Sequence, residues 1–193
     1  MKKKIAGIAL SCLLIAALVL TSCGTKTTTT TTTTGGTTTT VAGPNFGQTA
    51  VGGTAVAIGA DARYVASQFT ASRSGTVASI TAYIAEASGY PTPKVAYAIY
   101  KVSGGALIGY TVEGQVTTGP AGWKTLSMAS GVTVVAGEKY WLMIRPSLRV
   151  TYYYNDGATG GYATLAYNYP TFPNPLGEFT ALERIISIYA TVN

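Results

Sequence analysis

Seven carboxylates, no histidine and a dense set of tyrosines bound the chemistry open to this chain. The carboxylates are Asp61, Glu86, Glu113, Glu138, Asp156, Glu178 and Glu183. Two of them in one cleft would suffice for glycoside hydrolysis, but the sequence suggests no pairing. Glu86, Glu113 and Glu138 fall beside turns or strand ends, where an exposed acid keeps a protein soluble. Without histidine, imidazole acid/base chemistry, Ser-His-Asp and Cys-His nucleophiles and histidine-ligated zinc are excluded. No glycine-rich phosphate loop opens a helix. Asn155-Asp156-Gly157 offers oxygens to a structural calcium ion, yet an Asp-Gly turn accounts for the same residues, and calcium requires several oxygen ligands. The expectation is a non-enzymatic chain with no cofactor.

The aromatics are more suggestive. Strand alternation sends Tyr153 to the face opposite Tyr152 and Tyr154. A long stretch from Gly157 to Glu183 then carries Tyr162, Tyr167, Asn168, Tyr169 and Phe172 among glycines and prolines. A segment of that length in a compact domain is usually functional or packed down by its own side chains. Flat rings beside amides suit a sugar, whose apolar face stacks on the ring while amides bind its hydroxyls. Tyrosine also suits protein partners. Tyr153, Tyr162, Tyr167, Asn168, Tyr169 and Phe172 are therefore the candidate ligand-binding residues. The alternative is that Tyr167, Tyr169 and Phe172 tuck under the loop and cover an open end of the fold.

Period-two segments must position these groups. Tyr64–Ala71, Thr76–Ala87, Lys94–Ser103, Ala106–Thr117, Gly122–Ser127, Val132–Val135, Lys139–Pro146, Val150–Asn155 and Ile185–Val192 read as strands. Gly104-Gly105 supplies the positive φ of a tight hairpin. In Thr76–Ala87, Ile80, Ala82 and Ile84 share one face while Val77, Tyr83 and Ala85 share the other. In the last strand Ile186, Ile188, Ala190 and Val192 oppose Ser187, Tyr189 and Thr191. Helical spacing is nowhere sustained. Eight or nine short strands predict an all-β antiparallel sandwich, specifically a jelly roll, over residues 45–193. With no disulfide framework, that domain must be held by its core.

Ahead of it lie Lys2, Lys3 and Lys4, then an uncharged apolar run from Ile5 to Leu20, too short to span a bilayer comfortably. The run ends in Leu20-Thr21-Ser22-Cys23, which resembles the lipobox of bacterial lipoprotein precursors. The resemblance implies a signal peptide over 1–22, acylation of Cys23 and a mature chain beginning there. Gly24 after the cysteine implies an outer-membrane or cell-surface destination where two membranes exist, and otherwise the cell membrane. Residues 23–44 read as a tether, whose low-complexity threonine tract from Gly24 to Thr40 extends at most roughly 60 Å and could carry O-linked sugar. The formal charge of +6 includes the three leader lysines, so the remainder carries +3, scattered. That leaves no electrostatic footprint for nucleic acid.

Further motifs resemble a family of secreted sandwich modules, many of unknown function, whose relatives include carbohydrate-binding modules. They are Gln68-Phe69-Thr70-Ala71 with Ser74-Gly75-Thr76-Val77, Ala98-Ile99-Tyr100, Gly122-Trp123-Lys124, and Val132 to Leu142 with its Ala136-Gly137-Glu138-Lys139-Tyr140-Trp141 core. The resemblance implies the fold more than any activity, because Trp123, Tyr140 and Trp141 sit on strands, where large aromatics commonly fill a core. The functional expectation is a lipid-anchored binding module for glycan or another extracellular polymer. The alternatives are a structural or protein-docking module of the envelope and, last, a small carboxylate-dependent hydrolase.

Overall fold

The structure is a computed structural model that describes residues 44–58, 63–87, 89, 92–157, 162–166 and 169–193. Cys23, the threonine tract, Asp61, Tyr167 and Asn168 lie outside the described residues.

Among the described residues, fourteen strand segments follow one another along the chain. They begin with β1 (Asn45–Gly47), β2 (Thr54–Ile58), β3 (Arg63–Thr70), β4 (Gly75–Glu86) and β5 (Lys94–Lys101). Then come β6 (Leu107–Tyr110), β7 (Gly114–Gln115), β8 (Gly122–Val134), β9 (Lys139–Pro146) and β10 (Val150–Asp156). The last are β11 (Tyr162–Ala166), β12 (Thr180–Leu182), β13 (Arg184–Ile186) and β14 (Ile188–Val192).

Eight of these form the frame. One sheet contains the order β2-β10-β4-β8 and the other β3-β9-β5-β6, all antiparallel. Counted along the chain, those orders are 1-8-3-6 and 2-7-4-5, which is jelly-roll topology. The remaining short segments raise the total above the expected eight or nine. β11 and β12 extend the second sheet from β3, β7 caps β5, and β1 borders β14 in the first sheet. Lys139–Pro146 forms a strand as expected, whereas Ala106–Thr117 breaks into β6 and β7.

The expected final strand divides at Ser187. β13 pairs with β10 and β14 with β4, so the chain passes from one neighbour to the other at that residue. Buried Ser187 ties the junction. Its N–H donates to Tyr153 O (2.8 Å), its carbonyl accepts from Tyr83 N (2.9 Å), and its Oγ accepts from Gly52 N (2.8 Å). Another buried hydroxyl, Ser67 Oγ on β3, accepts from Ile186 N at 3.0 Å and joins the two sheets.

Alternation places Val65, Phe69, Ile80, Ile84, Tyr97, Ile99, Leu142, Ile144, Tyr152, Tyr154 and Ile188 between the sheets. Burying each such apolar side chain stabilises the fold by roughly 1.5–3 kcal/mol. Tyr97 lies fully inside, its hydroxyl donating to Lys124 O, and burial pushes its phenol pKa up. One expectation is corrected here. Val77 joins the core rather than the opposite face, because a register shift between Val77 and Ser79 turns the strand over.

Candidate functional site

The candidate aromatics fall on two different faces. Tyr153 points outward from the first sheet, as alternation requires, and there it meets aromatics the sequence reading had not grouped with it. Tyr83 is its edge-to-face neighbour, with centroids 5.0 Å apart at 79°. Trp123, the cross-strand partner of Tyr83, packs against it at 5.2 Å and 71°. Tyr189 on β14 then meets Trp123 at 5.4 Å and 61°. The four rings form a strip over β10, β4, β8 and β14.

Trp123 is 38% exposed, which overturns the core role its strand position suggested. Tyr83, Tyr153 and Tyr189 are half-buried. Alternation was the available signal, since it already set Tyr83 and Tyr189 opposite the isoleucine faces of their strands. It could not show that four strands bring these rings together. Hydroxyls accompany the strip: Thr81 Oγ1 and Thr125 Oγ1 lie 2.8 Å apart on neighbouring strands. Tyr83 keeps its ring in place by donating its hydroxyl to Ala121 O (3.2 Å).

Tyr169 and Phe172 lie instead over the outer face of the second sheet. A second apolar cluster (Tyr64, Ala66, Ala98, Tyr100, Trp141, Met143 and Leu165) sits there, covered in part by Phe172 and Leu176. The chain from 169 to 179 crosses it as a strap. Tyr64 Oη donates to Thr171 O at 3.0 Å, Leu176 N to Gly105 O at 2.7 Å, and Leu107 N to Asn174 Oδ1 at 3.2 Å. Gly104 and Gly105 hold positive φ of 75° and 64° there, the turn geometry expected of them. Trp141 is therefore buried, but under the strap and against Phe179 rather than between the sheets. The covering role for Phe172 is the one the contacts favour: its ring lies against Tyr110 (5.6 Å, 30°) and Tyr64 (6.4 Å).

An ionic cluster pins one end of the strap. The guanidinium carbon of Arg145 lies 4.3 Å from the Phe172 ring centroid and 5.0 Å from that of Tyr169. Arg145 also pairs with Glu113 at 3.3 Å, as does Lys94, and Tyr169 Oη donates to Glu113 Oε1. Burial alone would raise the Glu113 carboxyl. The hydrogen bonds from Tyr169 and Lys94, with the charges of Lys94 and Arg145, outweigh it and hold the carboxyl below its ordinary range. The hydrogen bond to Glu113, then burial, raises the Tyr169 phenol.

Tyr162 opens β11, paired in register with Ser67 and Leu182. The calcium candidates are engaged within the fold: Asn155 Oδ1 accepts from Gly53 N (2.9 Å), and Asp156 pairs with Arg184 at 3.1 Å. Among the described residues no three Cys, His, Asp or Glu side chains cluster as a metal site would need. Glu138 accepts from Tyr140 Oη and lies 3.8 Å from Lys101, beside a shallow pocket lined by Lys101, Val102, Ser103 and Lys139. No helix among the described residues is long and apolar enough to cross a membrane. No protein-family model matches the chain, and no curated protein matches it either.

Proposed function

We propose that this chain is a non-enzymatic module, anchored to the outer face of a bacterial membrane by lipid on Cys23, that binds a glycan or similar extracellular polymer. The binding surface is the strip of Tyr153, Tyr83, Trp123 and Tyr189, rather than the Tyr167–Phe172 segment. The observation that carries this reading is that four adjacent aromatics share the solvent side of one sheet. Packing alone gives them little reason to be there, and contiguous apolar patches on a monomer usually mark an interaction site. Trp and Tyr supply large rigid contact area at low entropic cost. Adjacent rings meet edge to face, so a chain of sugars would rest on successive facets rather than on one plane.

That same ridged relief supports a second reading, in which the strip docks a protein of the envelope. Retention of the chain on insoluble polysaccharides separates the two. Glycan binding predicts saturable retention that is lost in Trp123→Ala and Tyr153→Ala and kept in Phe172→Ala. Absence of retention from a cooperatively folding chain would refute the glycan reading and leave protein docking.

A further inference from the structure

The strip lies on a face from which the sheet's charges are turned away. The strands of the first sheet contain four charged residues, Glu86, Lys124, Asp156 and Arg184. Glu86 pairs in register with core-facing Val150 and Lys124 with core-facing Ala82, so both belong to the inward parity. Asp156 and Arg184 pair with each other two positions from inward Tyr154 and Ile186, and the Arg184 guanidinium lies 4.4 Å from the Tyr154 ring centroid. All four therefore stand on the inward parity or at its mouth. The outward positions among the described strands carry Tyr, Trp, Thr, Ser, Ala and Asn, with Ile185 opposite Asn155 and Gly47 opposite Tyr189, and no charged residue. Thr125, Thr151 and Thr191 are among them, and Ala55 and Ala57 lie opposite Tyr153 and Thr151. Arg149 stands one residue outside β10.

We infer that the ligand of this face is an uncharged, hydroxyl-rich polymer: a neutral polysaccharide rather than a uronate, phosphate or sulfate polymer. This inference rests on the glycan reading above and deepens it. A sugar ring offers an apolar C–H face to an aromatic and hydroxyls to threonine side chains, and the strip provides both, with Thr125 exposed beside it. An anionic polymer laid here would lose hydration at each charge, with no cation on the outward positions of the described strands to replace it, and that desolvation opposes binding. The second sheet shows the contrast, because its outer face carries the Lys94, Glu113 and Arg145 cluster. A bilayer surface fits less well: the rings pack edge to face against one another, and among the described residues no basic patch accompanies them to meet anionic headgroups.

The test is retention of the full chain, held in a polyoxyethylene detergent that carries no sugar, on cellulose, mannan and chitin and on immobilised polygalacturonate and alginate. The expected result is retention on at least one neutral polymer, changing by less than about twofold between about 50 and 500 mM NaCl. Arg149→Ala should leave it unchanged and Trp123→Ala should abolish it. Retention confined to the anionic polymers, falling with salt or with Arg149→Ala, would overturn the inference while leaving the glycan reading intact. No retention on any polymer, by a chain that still unfolds cooperatively, would overturn both. Quenching of Trp123 fluorescence by vesicles of brominated neutral lipid, absent in Trp123→Phe, would also overturn the inference by giving the face to a membrane.

Discussion

Replacing Glu113 with Ala leaves the Arg145 guanidinium without its carboxylate at a site where the arginine side chain is only 9% exposed. Among the described residues Arg145 Nε already lacks a hydrogen-bond partner, so Glu113 provides its ionic compensation. Removing one member of a fully buried pair costs about 3–5 kcal/mol. Glu113 is itself 28% exposed, and Phe172 and Tyr169 still flank the cation. These reduce the expected loss to about 2 kcal/mol. In a domain of this size that lowers Tm by roughly 4–8 °C, measured by circular dichroism at neutral pH.

Acid titration provides a second reading of the same contact. The folded-state pKa of Glu113 lies below its ordinary 4.5, so its stabilisation is fully present above that value and is lost as pH falls through the lower, folded one. Wild type and Glu113→Ala should therefore differ at pH 7 and converge on acidification. A double-mutant cycle with Arg145→Met completes the test, since removing both charges should recover part of the loss. A Glu113→Ala protein within about 0.5 kcal/mol of wild type at pH 7 would refute the argument. Retention on polysaccharide should not change, because the strap and the aromatic strip lie on opposite sheets.

Other expectations are simpler. Phe172→Ala should cost about 1–2 kcal/mol by uncovering Tyr64 and Tyr110, read as a lower urea midpoint with a nearly unchanged slope; an unaltered midpoint would mean that the strap is held elsewhere. Ser187→Ala leaves the Gly52 N–H without its acceptor at a buried position and should cost about 1–3 kcal/mol, against less than about 0.5 kcal/mol for an exposed control such as Ser130→Ala. Cys23→Ser should move the chain from the detergent phase to the aqueous phase in cell fractionation. Equal partitioning of both proteins would remove the lipid anchor from the proposal.

The frame was legible because its strands alternate cleanly. Ile80, Ala82 and Ile84, and Ile186 through Val192, show which side of each strand faces the core, and the β5–β6 hairpin announced itself by Gly104-Gly105. β2 was missed because Thr54–Ile58 is short and partly exposed, and its alternation of Thr54, Val56 and Ile58 with two alanines gives little contrast between its faces. The Val77 face was misassigned because a bulge adds a residue without leaving a signature in the pattern. Both tryptophans illustrate a deeper limit. Trp123 and Trp141 each point away from the space between the sheets, yet one is covered by the 169–179 strap and the other is not. Alternation tells sides apart; it does not tell which side a distant segment will cover.

The place where the chain enters the fold has a mechanical consequence. β1 pairs with β14, Pro44 O accepts from Val192 N (2.7 Å), and Gln48 N donates to Ile188 O (2.8 Å). Tension arriving from residues ahead of Pro44 therefore enters at the margin of the first sheet, one strand from Tyr189. A pull along β1 loads these bonds together, in shear, while a pull across it would peel them one at a time. The force then reaches the aromatic strip through hydrogen-bonded strands of a single sheet and need not separate the two sheets. A module held at one end and gripping a polymer with that sheet could thus bear drag from moving fluid with its core left undisturbed.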